Sequence, residues 1–563
     1  MTVESLVRTA GLCEVEAKWS SVRPTPYRTG YRHADGGSQG GKGEGHTMWF
    51  SHVFRRQDPL DRTCTLALIA GSFLALLLFA GTSQAQERVV VAVQYEANVL
   101  DPRMDQSFAT RNVLELVYAP LLVWNESYEI EPIVARAIET PDETTFVFHL
   151  REGVLFHDGV ELTSEDVAYT YDTLRDPEFG SPLIGPYRII ERIETPDRYT
   201  VEFHLQEPSA AFLTNLILGI VPKHYVEEHG DEHLGRNPLG AGGFVFVEQL
   251  EGEEVRLRAF DDYFEGRPAI DELVMRFIPD RVTRTIELEL GAADVMTDID
   301  PEDLERLDAM PELRIQPYFP PAYCFLVVNQ EDDVVGDLLV RQAMAHVMPL
   351  EDAAILGSFG AVPPAEVPMP FEVWAYEPDV PRYEFNPEAA RALLAEAGYD
   401  EGVSIEMVQL QGGPRPQIAQ IIQQTFALGG IDLTITPVQV ATGFERLDDG
   451  DFQAQFWCRG LLVDPDRYLF PLFHSDQVPP MGQNWARYNN PRVDELLEQG
   501  RRITDQERRQ EIYSEVQKIL MTDLPFLPVY YQAQIAANSA RLDDYSFDPS
   551  FLYRNLIYAT FEE

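Results

Sequence analysis

The stretch "VLFHDGVELTSEDVAYTYDTL" (residues 154–174) places a histidine among several carboxylates. Such a mixture is typical either of a catalytic or metal site, or of a turn that leads into a helix. Residues 157–159, His-Asp-Gly, have the composition of a turn, and residues 163–166 have the spacing of a capping box with acids in the first helical turn. Three apolar residues then follow at i, i+4 and i+7, namely Val167, Tyr171 and Leu174. We therefore interpret the stretch as a turn and a helix, without catalysis or metal.

Two related segments flank this stretch. "IETPDETTFVFHLREG" (138–153) and "IETPDRYTVEFHLQEP" (193–208) share ten of sixteen positions. In each, a Pro-Asp turn precedes alternating apolar residues, which indicate a half-buried strand. Two copies are too few for a repeat array. We predict that both belong to one small α+β domain.

The rest of the chain alternates strand and helix patterns. "RVVVAVQYEANVLDP" (88–102) reads as a strand that ends in a turn, and "YCFLVVN" (323–329) as a buried strand. "NPEAARALLAEAGYD" (386–400) is a helix, with Asn386 as its N-cap and Gly398 at its C-terminal end. This alternation predicts an α/β fold.

The charge of the chain restricts its partners. Its 563 residues include 92 Asp and Glu against 44 Lys and Arg, for a formal net charge of −48. Such a charge argues against nucleic acid and anionic membranes as partners. Lysine is rare, and this favours adaptation to high salt, which shortens the Debye length to about 3 Å at 1 M. A merely acidic secreted protein is the alternative.

An apolar run, "LALIAGSFLALLLFA", occupies residues 66–80. It is short for a membrane span, three arginines precede it, and Ser-Gln-Ala follows at 83–85. These features predict a signal peptide at 48–85 and a periplasmic or otherwise extracytoplasmic protein. No cysteine follows the cleavage site, so we expect no lipid anchor. Residues 1–47 are expected to be a disordered leader or an extension of the gene model.

Cys324 and Cys458 are the two cysteines of the expected mature chain. Export would permit a disulfide. Because the two residues lie far apart in sequence, we favour two buried free thiols over a pair.

Six or more motifs, in order from about residue 88 onward, resemble solute-binding protein family 5, the peptide, nickel and oligopeptide-binding proteins of ABC importers. "FHLREGVLFHDGVELTSEDVAYTYDTL" looks like the family signature, and "GAGGF" (240–244) is similar to its Gly-x-Gly-x-Phe turn. "FNPEAARALLAEAGYDEG" and "DPDRYLFPLFHS" are similar to segments of its C-terminal lobe.

The resemblance implies a two-lobed α/β periplasmic-binding-protein fold with a small inserted α+β domain. Lobe I would comprise 87–129, 237–318 and 532–563, the insert 130–236, and lobe III 319–531. It also implies that the chain is a monomer and not an enzyme. Its solute, peptide-like or otherwise small and polar, would bind between the lobes and pass to a permease and ATPase, without cofactor or metal.

The resemblance also suggests cleft residues. Peptide binders of this family hold the solute's ammonium with an Asp just ahead of the Asp-Pro, and here that position is Leu461. This departure weakens an ordinary peptide assignment, whereas Arg459 could hold a carboxylate or sugar hydroxyls. Aromatic residues could stack on the solute, and the ends of two strands are expected to face the cleft. The candidates are Tyr95, Asn98, Tyr323, Cys324, Trp374, Arg415, Trp457, Arg459 and Asp464. A role in the core, a surface ion pair or, for Asp464, a helix cap is the alternative.

Two other functions compete with solute capture. A secreted hydrolase would need a nucleophile elbow or a zinc-binding His pair. His-Glu-x-x-His does not occur in the sequence, and the one Gly-x-Ser-x-Gly, at 36–40, lies in the glycine-rich segment ahead of the predicted signal peptide, not in the expected mature chain. A sensor or chaperone that keeps the binding fold without serving an importer stays open at this point.

Overall fold

The computed structural model describes residues 87–105, 107–125, 128–358, 362–411, 416–460, 463–547 and 553–562. The predicted signal peptide and the segment before it lie outside these residues. Within them the fold is mixed α/β, as predicted from the alternation of strand and helix patterns.

The strands, in chain order, are β1 (Arg88–Val93), β2 (Leu122–Trp124), β3 (Ile130–Pro132), β4 (Ala135–Asp142), β5 (Thr145–Leu150), β6 (Ile190–Asp197), β7 (Thr200–Leu205), β8 (Phe244–Leu250), β9 (Glu254–Ala259), β10 (Glu272–Phe277), β11 (Val295–Met296), β12 (Leu313–Tyr318), β13 (Ala322–Val328), β14 (Val403–Leu410), β15 (Ile431–Val438), β16 (Ala454–Gly460), β17 (Phe526–Tyr531), β18 (Gln534–Ser539), β19 (Leu542–Asp543) and β20 (Thr560–Phe561).

The α-helices are α1 (Phe108–Val117), α2 (Ser164–Arg175), α3 (Lys223–His229), α4 (Asp231–Leu234), α5 (Arg281–Glu289), α6 (Leu304–Asp308), α7 (Leu338–His346), α8 (Leu350–Ser358), α9 (Pro387–Glu396), α10 (Pro416–Leu428), α11 (Val440–Asp449), α12 (Pro465–Phe473), α13 (Pro491–Arg502) and α14 (Gln506–Asp523).

A seven-stranded sheet has the order β12-β18-β11-β1-β10-β9-β8. Its central strand β1 is parallel to both neighbours, β10 and β11. Val89 and Val91 are fully buried, and Val90 is nearly so. A strand covered on both faces is expected to be a continuous apolar run, which explains the sequence "RVVVAV".

The two related segments form a four-stranded sheet of order β4-β5-β7-β6. Each segment makes one hairpin, and the second strands of the hairpins pair antiparallel at the centre. The residues predicted to share a buried face in β5, Phe146, Phe148 and Leu150, are at most 2% exposed. The prediction that the echoed segments are strands of one small sheet is confirmed.

The stretch that precedes α2 has the structural role predicted for it. Thr163 is the N-cap, and the Asp166 carboxylate accepts from the Thr163 N–H at 2.9 Å, which completes a capping box. Val167, Tyr171 and Leu174 are fully buried. The other carboxylates are bonded as follows: Asp158 to His224, Glu161 to the Gly153 N–H and Arg198, and Glu165 to Lys223.

His157 joins this turn to the "GAGGF" segment. Its Nε2 lies 3.0 Å from the Gly242 carbonyl, and the Gly240 N–H donates to its Nδ1 at 3.4 Å. A neutral ring, protonated on Nε2, satisfies both contacts. Burial lowers the pKa of His157 to about 4.

We expect His157 to make the protein sensitive to acid. Because its pKa falls from 6.5 to about 4 on folding, the unfolded chain takes up the proton first as the pH falls. The free energy of unfolding should therefore decrease between pH 6.5 and 4, by about 3 kcal/mol from this group. Urea titrations at several pH values in that range measure this free energy. It should change less steeply with pH in His157→Gln than in the wild type. The exposed His233→Gln should keep the wild-type slope, and equal slopes for both variants would contradict the assignment.

A five-stranded sheet has the order β15-β14-β16-β13-β17. All seven residues of its strand β13 are buried. Helix α9, which packs beside α7, starts as predicted, because the Asn386 side chain accepts from the Ala389 N–H and Pro387 follows it. Gly398, just beyond the helix, has a φ of 92°, which favours glycine.

Two short connections join the seven-stranded and five-stranded sheets. β12 runs into β13 through residues 319–321, and β17 runs into β18 through residues 532–533. Since β12 pairs with β18 and β13 with β17, the connections lie side by side. The Gln532 N–H donates to the Ala322 carbonyl at 2.9 Å. Adjacent extended connections of this kind can act as a hinge. The residue limits of the predicted domains remain predictions.

Candidate ligand-binding site

A cavity of about 240 Å³ lies beside the hinge connections, at the carboxyl ends of β1 and β11. We call it the hinge pocket. Tyr318 and Gln534, at the ends of the strands that cross between the sheets, form part of its wall. Tyr95, predicted from the end of β1, also lines it and is 58% exposed. Its other lining residues are Ala92, Val93, Gln94, Phe108, Ala109, Asn112, Arg284, Thr297, Asp298 and Tyr553.

The floor of the hinge pocket contains a buried arginine. The Arg284 guanidinium donates to the Ile278 carbonyl at 2.7 Å and to the Asp298 carboxylate at 3.4 Å. Burial lowers the pKa of Arg284. Asp298 has a φ of 65°, a conformation that costs free energy in a residue other than glycine and is found at functional sites. The Asn112 amide oxygen has no hydrogen-bond partner among the described residues. The pocket thus combines aromatic and polar groups, as ligand sites do.

Across the hinge connections, three side chains lie in one row of the five-stranded sheet. Tyr323 of β13 is directly opposite Arg459 of β16 and Tyr531 of β17. Tyr323 is fully buried, and its hydroxyl has no hydrogen-bond partner among the described residues. Arg459 Nη1 donates to Gln483 Oε1 at 2.5 Å. The structure therefore places Tyr323 and Arg459 side by side, and their contact with a ligand stays a prediction.

The prediction of two free thiols is wrong. Cys324 and Cys458 face each other in β13 and β16, with Cα atoms 4.0 Å apart, and form a disulfide. The sequence separation of 134 residues conceals the fact that the strands are neighbours. Cys324 is also fully buried and its sulfur is bonded to Cys458; a role of this residue in ligand contact stays a prediction.

Asp464 caps a helix, which was the alternative to its predicted contact with the ligand. It is 3% exposed, caps α12 by accepting from the Asp466 N–H at 2.9 Å, and forms an ion pair with Arg509. Trp374 packs against the same arginine, 5.1 Å from ring centre to guanidinium carbon. Asp464 is thus held in a buried ion pair, whereas Trp374 is half-buried and its predicted contact with ligand stays a prediction.

The remaining predicted residues are placed separately. Asn98 lines a different, acidic cavity of about 920 Å³, together with Asp101, Asp231 and Glu248. Trp457 is half-buried and packs edge-on against Phe444 at 5.0 Å. Arg415 lies outside the described residues.

Four residues were missed by sequence reasoning. Arg284, Asn112 and Tyr553 meet in the hinge pocket from segments far apart in the chain, and no local pattern marks them. Arg467 lies near Arg459, and its signal was available: a second arginine just inside a helix of a strongly acidic chain.

A possible metal cluster lies elsewhere. Among the described residues, Glu194, Glu202 and His204 bring potential ligand atoms within 4.8 Å of one another. They belong to the four-stranded sheet, and Arg192 Nε already donates to Glu194 at 2.7 Å. Because one of its acids is paired and exposed, we assign no metal to this cluster.

Two large sheets joined by a hinge, with a polar pocket on the seven-stranded side of that hinge, are typical of a two-lobed binding protein. The chain belongs to the bacterial extracellular solute-binding proteins, family 5, whose family model for the middle region matches residues 129–479. The predicted family and the two-lobed fold are thereby confirmed.

Known relatives cover most of the chain. Heme-binding protein A of Haemophilus influenzae is 28% identical over 457 residues, which are 75% of this chain and 83% of that protein. The dipeptide-binding protein of Escherichia coli is 28% identical over 454 residues, 75% of this chain and 84% of that protein. The solved structure of HbpA2 from Haemophilus parasuis has a TM-score of 0.77 and 26% identity, and covers 84% of this chain and 100% of its own.

In the described part of the chain, no helix combines the length and the apolar character that a membrane span requires.

Proposed function

We propose that this protein captures a peptide-like or other small polar solute between its two large lobes and delivers it unchanged to an ABC permease and its ATPase. The observation that carries this proposal is the pair of adjacent hinge connections with a polar pocket directly beside them. Rotation about these connections would close the lobes over a solute. Family membership supports the proposal, since relatives are named for heme and dipeptide binding.

We also infer that the mature chain works outside the cytoplasm. The family is described as extracellular, and the predicted signal peptide, although outside the described residues, points the same way. A formal net charge of −48 supports a monomer adapted to high salt, because identical acidic surfaces repel one another and salt screens the repulsion within each chain.

A solute that fits the cleft is expected to stabilise the folded chain by about 2.7 kcal/mol at a hundred times its Kd. The same solute should decrease the radius of gyration, because the lobes close around it. A thermal-shift screen finds the compound, small-angle scattering measures the compaction, and mass spectrometry of the recovered compound shows that it is unchanged.

Two exposed aromatic residues provide a matched pair of variants. Tyr95, 58% exposed, lines the hinge pocket, whereas Phe385, 50% exposed, is distant from it in the chain and is not among its lining residues. Tyr95→Ala should weaken solute binding, and Phe385→Ala should leave it unchanged. Conversion of the compound to a product, or stabilisation without compaction by every compound found, would contradict the proposed function.

A further inference from the structure

Two neighbouring arginines at the end of the five-stranded sheet lack the partner that arginines of this chain usually have. The sequence contains 92 acidic residues and 44 basic ones, so a carboxylate is available for almost any basic side chain. Arg459 and Arg467 nevertheless form no ion pair with any described residue, whereas Arg501 and Arg509 nearby are both paired. Unpaired charges crowded together are unfavourable unless a ligand uses them.

The hydrogen-bond donors of Arg459 are only partly used. Its Nη1 donates to Gln483 Oε1 at 2.5 Å and its Nη2 to the Arg467 carbonyl at 3.2 Å. Its Nε is buried and has no acceptor among the described residues. The hydroxyl of the adjacent Tyr323 is also buried and has no hydrogen-bond partner among them. Burial lowers the pKa of Arg459. An oxyanion beside these groups would give both donors an acceptor.

Arg467 lies where three parts of the chain meet. It stands in the first turn of α12, and electrostatic interactions connect it with Tyr187, beside the four-stranded sheet, and with Arg111 of α1. Its side chain reaches solvent, yet the surrounding protein desolvates it enough to lower its pKa, as expected in a cleft.

The carboxylates nearest to Arg467 are already occupied. Asp464 pairs with Arg509 at 2.8 Å, and Asp466 lies 3.5 Å from Arg501. Arg111 is itself bonded to Glu115 at 2.9 Å. No described carboxylate therefore neutralises the positive charges of Arg459 and Arg467, although the net charge of the chain is strongly negative.

We propose that the solute is an organic oxyanion whose carboxylate or phosphate group binds between Arg459 and Arg467 and accepts a hydrogen bond from Tyr323. This proposal rests on the proposed function and names the class of solute. Guanidinium groups suit it, because they bind carboxylate and phosphate through paired hydrogen bonds.

The described residues around this site provide no comparable pair of unneutralised charges for a cationic solute. The position at which the family's peptide binders carry their ammonium-binding Asp is Leu461. Among the nearby described acids, Glu372, which interacts electrostatically with Tyr531, and Asp466 have buried carboxylate oxygens without a hydrogen-bond partner, but the other oxygen of Asp466 lies 3.5 Å from Arg501. Burial raises the pKa of Glu372 to about 8, so at neutral pH it is mostly protonated and provides no fixed negative charge.

The test uses the full mature chain and pairs of probes that differ in one charged group. An N-acetyl dipeptide is compared with its C-terminal amide, glucose 6-phosphate with glucose, and a free dipeptide amide supplies an ammonium alone. Calorimetry at constant ionic strength is expected to show binding of at least one anionic probe, at least tenfold tighter than its neutral partner. The carboxylate and phosphate probes distinguish the two kinds of oxyanion.

Charge-removing variants then locate the anion. Arg459→Gln and Arg467→Gln should each weaken binding of the anionic probe by 10- to 100-fold, the effect of losing one hydrogen bond to a charged group (about 1.5–3 kcal/mol). Arg467→Gln should leave the melting temperature of the free protein unchanged, since Arg467 has no ion pair among the described residues. Arg459→Gln also loses the hydrogen bonds to Gln483 and to the Arg467 carbonyl and should lower it slightly. Arg391→Gln, an exposed arginine on α9 without an ion pair among the described residues, is the matched control and should bind like the wild type.

The outcomes separate this proposal from the proposed function. If a neutral or cationic probe binds and compacts the protein with equal affinity in the wild type and in Arg459→Gln, the oxyanion is ruled out while capture stands. Failure of every anionic probe to bind also overturns the oxyanion proposal. Capture itself fails if scattering detects no compaction with any stabilising compound, or if the compound is converted to a product.

Discussion

Replacing Arg509 by methionine is expected to lower the free energy of unfolding by about 4 kcal/mol, because it leaves the Asp464 carboxylate buried without its counterion. Arg509 is 5% exposed and Asp464 is 3% exposed. Arg509 Nη1 and Nη2 reach the two Asp464 oxygens at 3.0 and 2.8 Å, and its Nε donates to the Gly500 carbonyl at 2.9 Å. Urea unfolding followed by fluorescence measures the loss.

The neighbouring residue provides the control. Arg508 pairs with Glu511 on the exposed face of α14, where both side chains are at least 60% exposed. Arg508→Met should therefore cost less than 1 kcal/mol, and molar salt should abolish even that. The loss in Arg509→Met should persist in molar salt, since bulk ions do not screen a buried pair. Equal losses in the two variants would show that the ion pair does not hold α12 and α14 together.

What the sequence predicts well in this protein is local. The capping box at Thr163 and Asp166 and the buried face of β5 depend on residues a few positions apart, and the structure confirms them. The chain order of motifs was enough to identify the family and the two-lobed fold. Local patterns of this kind can be recognised in a sequence because they depend on short-range geometry alone.

What the sequence does not predict depends on strand pairing and packing across long separations. Cys324 and Cys458 are bonded because β13 and β16 are neighbours, and nothing near either cysteine indicates this. Arg284 and Tyr553 meet in the hinge pocket although nearly half of the chain separates them. Asp464 is a candidate ligand contact from its place in the Asp-Pro segment, but burial beside Arg509 gives it a structural role. Burial and partner together decide what a charged side chain does, and neither can be read from one segment.

Reduction of the Cys324–Cys458 disulfide is expected to lower the free energy of unfolding by about 5 kcal/mol. The bond closes a loop of 134 residues that includes helices α7 to α11 and two strands of the five-stranded sheet. In the chain-entropy account, a cross-link over so long a loop removes a large amount of entropy from the unfolded chain. Equilibrium unfolding in denaturant, with and without a phosphine reductant, measures the difference, and thiol counting verifies that reduction is complete.

The double variant Cys324→Ala/Cys458→Ala separates the cross-link from other effects of the reductant. Its stability should not respond to reductant and should lie near that of the reduced wild type, because alanine fits where the sulfurs were buried.

The same samples test the binding site, since the bonded cysteines directly adjoin Tyr323 and Arg459 in β13 and β16. If the disulfide stabilises only by restricting the unfolded chain, the affinity for the anionic probe will be unchanged. If it also fixes the Tyr323–Arg459 pair for binding, affinity will fall together with stability. Wild-type unfolding midpoints that coincide with and without reductant would contradict the pairing on which both expectations depend.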